Sequence, residues 1–132
     1  MLNSDEMMKM FHLMEDKGVI LSIDMIEGDL QVGEMEEIIS ECPGLKIAIG
    51  HFGMVTKPDW KKQIMLARHK NVMIESGGIT WLFNDEFYPF NGAIRAINEA
   101  DRPCRFRETD VGFRLSAHNY SHHLQNVVRL CD

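Results

Sequence analysis

The stretch Leu45-Lys-Ile-Ala-Ile-Gly-His-Phe-Gly53 decides the fold of this chain. Four of its first five residues are apolar and two of them, Ile47 and Ile49, are β-branched, which is the composition of a buried strand rather than a half-exposed one. The run stops at Gly50, and the next residue is an imidazole, His51. In α/β folds the loops at the carboxyl ends of parallel strands converge on one crevice, so a polar side chain at such an end is a candidate for binding or catalysis. Working outward from this unit, three further strands are expected at 19–23, 71–75 and 104–108. Their ends present Asp24, Ser76 and Asp110.

Helical patterning alternates with these runs. Asn3 or Ser4 suits a helix cap, with Glu6 three residues after Asn3, and Met7, Met10, Phe11 and Met14 recur at helical spacing up to Gly18. A helix over 34–41 is stopped by Pro43-Gly44. Pro58 suits the first turn of a helix over 58–69 that turns Trp60, Ile64 and Ala67 inward. A helix over 91–100 precedes the fourth strand, which is polar for a buried one (Arg105, Arg107, Glu108), and a last helix is expected over 118–130. The loop 79–90 carries Trp81, Phe83, Phe87, Tyr88 and Phe90, and long loops of this kind cover a site or make an interface. The expectation is one α/β domain over 1–132 with a parallel sheet of four strand–helix units. Such a sheet is half of a (β/α)8 TIM barrel, or a small open three-layer sheet.

Composition narrows the partners. A net charge of −6 argues against nucleic acid or an anionic membrane surface, both of which need a basic face. No apolar run approaches the roughly 20 residues of a membrane span, and the first residues do not read as a secretion signal. Cys42, Cys104 and Cys131 lack metal-type spacing and cannot all pair, so they are read as reduced thiols of a cytoplasmic protein. His118 and His122 share a face of the last helix, but no third ligand at short spacing accompanies them, which reads as solvent-exposed histidine.

Three motifs together, Pro43-Gly-Leu-Lys-Ile-Ala-Ile-Gly-His-Phe-Gly53, Asn71-Val-Met-Ile-Glu-Ser-Gly-Gly78 and Thr109-Asp110, resemble the carboxyl-terminal half of a TIM-barrel metal-dependent amidohydrolase. The branch that looks most similar includes aminocarboxymuconate-semialdehyde decarboxylase. The resemblance implies that 1–132 is a half-barrel equivalent to barrel strands five to eight. It implies His51 and Asp110 as catalytic residues and His51, Asp110 and Asp24 as ligands of a divalent metal, zinc first. Asp24 departs from the histidine that most of the superfamily carries after strand five, and Arg107-Glu-Thr-Asp110 departs from the glycine usual before the Thr/Ser-Asp pair. No His-x-His motif, the superfamily's strand-one signature, occurs in the sequence.

The chemistry expected from the resemblance is metal-assisted hydrolysis of a small organic substrate, or a related decarboxylation, in an apparently truncated enzyme. The metal would polarise a carbonyl and acidify a bound water, and Asp110 would carry the proton. The same residues have plainer readings: Asp110 as a helix cap or turn former, Asp24 as one of several loop acids with Glu27 and Asp29, Ser76-Gly77-Gly78 as a turn. The alternative function is an inactive half-barrel serving as an oligomeric structural or binding module. Either way an open half-barrel has unpaired edges and an uncovered face, so the expected partner is a second copy of the chain or a separate N-terminal half.

Overall fold

The computed structural model describes residues 1–26, 29–101 and 127–128. Helix α1 (Asp5–Asp16) leads into strand β1 (Ile20–Ile23), α2 (Asp29–Glu41) into β2 (Lys46–Ile49), and α4 (Trp60–Met65) with a 3-10 turn (Leu66–Arg68) into β3 (Val72–Glu75). A short turn of helix follows each of the last two strands, α3 (His51–Met54) and α5 (Ile79–Leu82). Helix α6 (Asn91–Asp101) and a two-residue strand β4 (Val127–Val128) complete the described chain.

The sheet order is β1-β2-β3-β4, with the first three strands parallel. Strand β4 runs antiparallel to β3, pairing Ile74 with Val128 and Glu75 with Val127. Among the described residues the sheet is therefore a three-stranded parallel unit with one antiparallel edge strand. One expectation is corrected: residues 127–128 are strand where a helix was expected. Helical spacing over 118–130 concealed a Val-Val pair, which is β-branched and pairs with the open edge of β3. The strand expected over 104–108, and the rest of the last helix, lie outside the described residues.

Register places Leu21 and Ile23 beside Ile47 and Ile49, and those beside Val72 and Ile74. This face packs on Phe11 of α1, Met35, Ile38 and Ile39 of α2, Ile64 of α4 and Ala96 of α6. Full burial of each large apolar side chain contributes roughly 1.5–3 kcal/mol. The opposite face carries Ile20 and Ser22, Lys46 and Ala48, and Met73. It is partly open among the described residues, with Ile20 exposed and Met73 half-buried. Helices over one face of a parallel sheet, with a mixed second face, are consistent with part of a TIM barrel.

Local signals explain the element ends. Helix α1 closes in a Schellman turn, Gly18 N–H donating to Glu15 O and Val19 N–H to Met14 O. Its start at Ser4 has no side-chain cap, and Asn3 donates instead to Glu37 Oε2 of α2 at 2.6 Å. Helix α2 begins earlier than the expected residue 34. Ile64 and Ala67 turn inward as expected, and Trp60 packs half-buried against the core. Among the described residues no helix is long and apolar enough to cross a membrane.

Candidate functional site

Asp24 is the first residue past β1, and His51 is the second past β2. Gly50 N–H donates to Ile23 O at 2.9 Å, extending the parallel ladder beyond the strands and drawing the two ends together. His51 Nε2 then stands 3.2 Å from Asp24 Oδ2. Both side chains are partly open, 35% and 47% exposed, so as a bare ion pair they contribute little to stability, below about 1 kcal/mol. Their proximity is a feature of the site and not of the core.

Glycines make the room. A Cβ on Gly50 would clash with Oδ1 of the Asp24 carboxylate. Gly78 has φ +73, and a Cβ there would lie 2.6 Å from His51 Nδ1. Between them Gly77 offers its carbonyl to His51 Nδ1 at 3.2 Å. Ser76-Gly77-Gly78 is therefore more than a turn: it cradles the imidazole. Glu75, the last residue of β3, lies beside this cradle, its Oε1 2.8 Å from where a Gly77 Cβ would stand. The Trp81 ring of α5 faces His51 at 5.9 Å between centroids, tilted by 43°.

The backbone at His51 is itself unusual. His51, Phe52, Gly53 and Met54 all have positive φ, between 51° and 64°, forming a left-handed turn. Non-glycine residues in this region cost roughly 1–2 kcal/mol each. Burial of Phe52, which is fully enclosed and stacks near Trp60 at 6.1 Å, offsets that cost. The turn sends Phe52 into the core while leaving His51 at the strand end. Strain of this kind gathers where a side chain is held for a task. Across the site, Gln63 of α4 is buried and donates to Met25 O at 2.7 Å, fixing the residue next to Asp24.

The hydrogen bonding defines what the site can hold. A carbonyl only accepts, so Nδ1 of His51 carries a proton toward Gly77. In the neutral ring Nε2 is then a lone pair facing a carboxylate oxygen. Two acceptors at 3.2 Å are reconciled by a shared proton or by a cation between them. A histidine whose second nitrogen donates to a backbone carbonyl is the usual arrangement of a metal ligand. The nitrogen and oxygen donors fit zinc, manganese or magnesium.

Asp24 and His51 are thus brought together. Asp110, like His118, His122 and His123, lies outside the described residues. Trp81 comes from the aromatic loop read in the sequence as covering a site or making an interface, whereas Gly77, Gly78, Glu75 and Gln63 are neighbours that reading the sequence did not assign to the site. Of these only the Ser-Gly-Gly run carried a signal, since two adjacent glycines after a strand allow a close approach.

A family model for amidohydrolases matches residues 2–105, a span that includes Asp24, His51 and the Ser76-Gly77-Gly78 cradle. The chain belongs to the amidohydrolase family. No curated protein and no solved structure matches it. Members of the family usually use a divalent metal, and the donors at the ends of β1 and β2 suit one.

Proposed function

We propose that the chain acts in metal-dependent hydrolysis, or a related decarboxylation, of a small organic substrate, in the branch of the family around aminocarboxymuconate-semialdehyde decarboxylase. The observation that carries this reading is the His51 arrangement. Nδ1 is tied to Gly77 O, and Nε2 faces Asp24 Oδ2 at 3.2 Å, at the ends of neighbouring parallel strands.

His51 Nε2 and the Asp24 carboxylate would hold a divalent ion, zinc first. When bound, such an ion supplies Lewis acidity toward a substrate carbonyl and a water acidified toward neutral pH. Gly77 keeps the imidazole in the tautomer that leaves Nε2 free. Trp81, 63% exposed beside the ring, offers an apolar wall for the organic part of the substrate. Asp110 is assigned the proton, taken at its carboxylate and returned to the leaving group. In this reading 1–132 is one half-barrel unit, and a second copy or a separate N-terminal half covers the face carrying Ile20 and Met73.

The test is an assay of the metal-stripped and zinc-reconstituted protein against a panel of small amides, lactones and carboxylated enals. Activity that returns with metal and falls at least 100-fold in both His51→Asn and Asp24→Asn supports the proposal. Activity indifferent to metal, or to both substitutions, removes it. A metal-loaded oligomer with no turnover on any substrate would favour the binding-module reading.

A further inference from the structure

We propose a second cation site at the opposite end of the strands, formed by His12, Glu15 and Cys42 and suited to zinc or a similarly thiophilic divalent ion. His12 and Glu15 lie in the second half of α1, just before the chain enters β1. Cys42 follows α2, just before the chain enters β2. Asp24 and His51 leave the same two strands at their other ends, and a four-residue strand separates the two places by roughly 13 Å. The inference does not rest on the amidohydrolase reading.

Cys42 Sγ stands 3.4 Å from His12 Nδ1, and His12 Nδ1 stands 3.8 Å from Glu15 Oε2. One donor atom from each residue lies within 4.8 Å of the other two. Tetrahedral zinc with bonds of about 2.0–2.3 Å places sulfur and nitrogen donors roughly 3.5 Å apart, so the Cys42–His12 edge already matches, and nitrogen and oxygen roughly 3.4 Å apart, somewhat closer than His12 and Glu15 stand. Binding would draw the Glu15 carboxylate toward the sulfur and the imidazole.

The carboxylate is held for the purpose. Glu15 Oε1 accepts from Gly44 N–H at 2.5 Å, which orients the group and leaves Oε2 on the His12 side. Cys42 is fully buried while His12 is half-exposed, so the sulfur lies inside and an ion enters from the histidine side. That side opens into a cleft lined by Asn3, Met8, His12, Glu37, Ser40 and Glu41. Glu37 and Glu41 make the cleft attractive to cations, and it gives a water access to the fourth position.

Coordination replaces the Cys42 S–H proton, which leaves to solvent as the sulfur–metal bond forms. The bound ion ties the end of α1 to the end of α2 through His12 and Cys42, residues 30 apart in the chain. This is a structural staple in a small sheet.

The test titrates Co2+ alone into the chelator-stripped full chain and follows absorption. A near-ultraviolet thiolate-to-cobalt band is expected that saturates within two equivalents in the wild type, where the Asp24–His51 site competes for the ion. It is lost in Cys42→Ser, needs at least tenfold more Co2+ in His12→Gln and Glu15→Gln, and reaches the same final intensity in His51→Asn, where it saturates at one equivalent. Absence of the band in the wild type overturns the proposal, as does a band that survives Cys42→Ser and so belongs to another cysteine. Should Cys42→Ser lose its circular-dichroism signal, the His12→Gln titration decides, since that half-exposed side chain is outside the core. An undiminished band there overturns the site.

Discussion

Gly50 and Asp24 stand in close approach: a side chain of even one carbon on Gly50 would overlap Oδ1 of the Asp24 carboxylate. Gly50 itself has φ −75, a conformation open to alanine, so the constraint is the neighbour and not the backbone. Gly50→Ala is therefore expected to fold with little change in melting temperature while turning the Asp24 carboxylate away from His51. Zinc affinity at this site, measured by competition with a chelator in the His12→Gln background, should fall about 10–100-fold, the usual penalty for disturbing the surroundings of a ligand. A variant that kept wild-type affinity would show that Asp24 is not needed where it stands.

Gly78→Ala acts on the imidazole instead. Its φ of +73 disfavours any side chain, and the new Cβ would press on His51 Nδ1. Thermal or urea unfolding should show a loss of about 1–2 kcal/mol, accompanied by loss of the nitrogen-15 signature of an Nδ1-protonated ring. Preservation of that signature would mean that the Gly77 carbonyl does not set the tautomer.

Gln63→Leu keeps the volume but removes the donor to Met25 O. The buried carbonyl loses its partner, at a cost of about 1–3 kcal/mol. Because Met25 adjoins Asp24, metal affinity at the strand ends should weaken together with stability. Equal destabilisation with unchanged metal affinity would confine Gln63 to packing.

Burial pushes the Cys42 thiol above its ordinary range, and the carboxylates of Glu15 and Glu41 add to the effect. In the metal-stripped protein the folded state then holds this proton more tightly than the unfolded chain. Its stabilising contribution is complete below the unfolded thiol value, about 8.5, and is lost as pH rises from there through the folded value. Urea unfolding of the wild type should show stability falling faster above that point than in Cys42→Ala. Parallel pH profiles for the two proteins would contradict the shift.

Much of this arrangement was legible in the letters, for reasons that can be located. The apolar run at 45–49 reads as a buried strand, and alternation with helical stretches reads as a parallel sheet, which holds for β1 to β3. Asp24 and His51 were therefore placed at strand ends of one side, and the pairing of β1 with β2 brings them together. The cradle was not legible, because the approach of Gly77 and Gly78 to His51 is a tertiary contact across two strands. The left-handed turn at 51–54 was hidden for the same reason: three of its four residues are not glycine, and only the burial of Phe52 makes it affordable. Val127–Val128 was lost inside a longer helical pattern. His12 and Cys42, far apart and without motif spacing, gave no signal until α1 and α2 were packed together.

The most direct test of the account is a zinc-soaked crystal of the full chain, with anomalous scattering recorded across the zinc edge. The account predicts a peak about 2.1 Å from both His51 Nε2 and an Asp24 carboxylate oxygen, absent in crystals of His51→Asn. Zinc bound elsewhere, with no density between these two side chains, would contradict it.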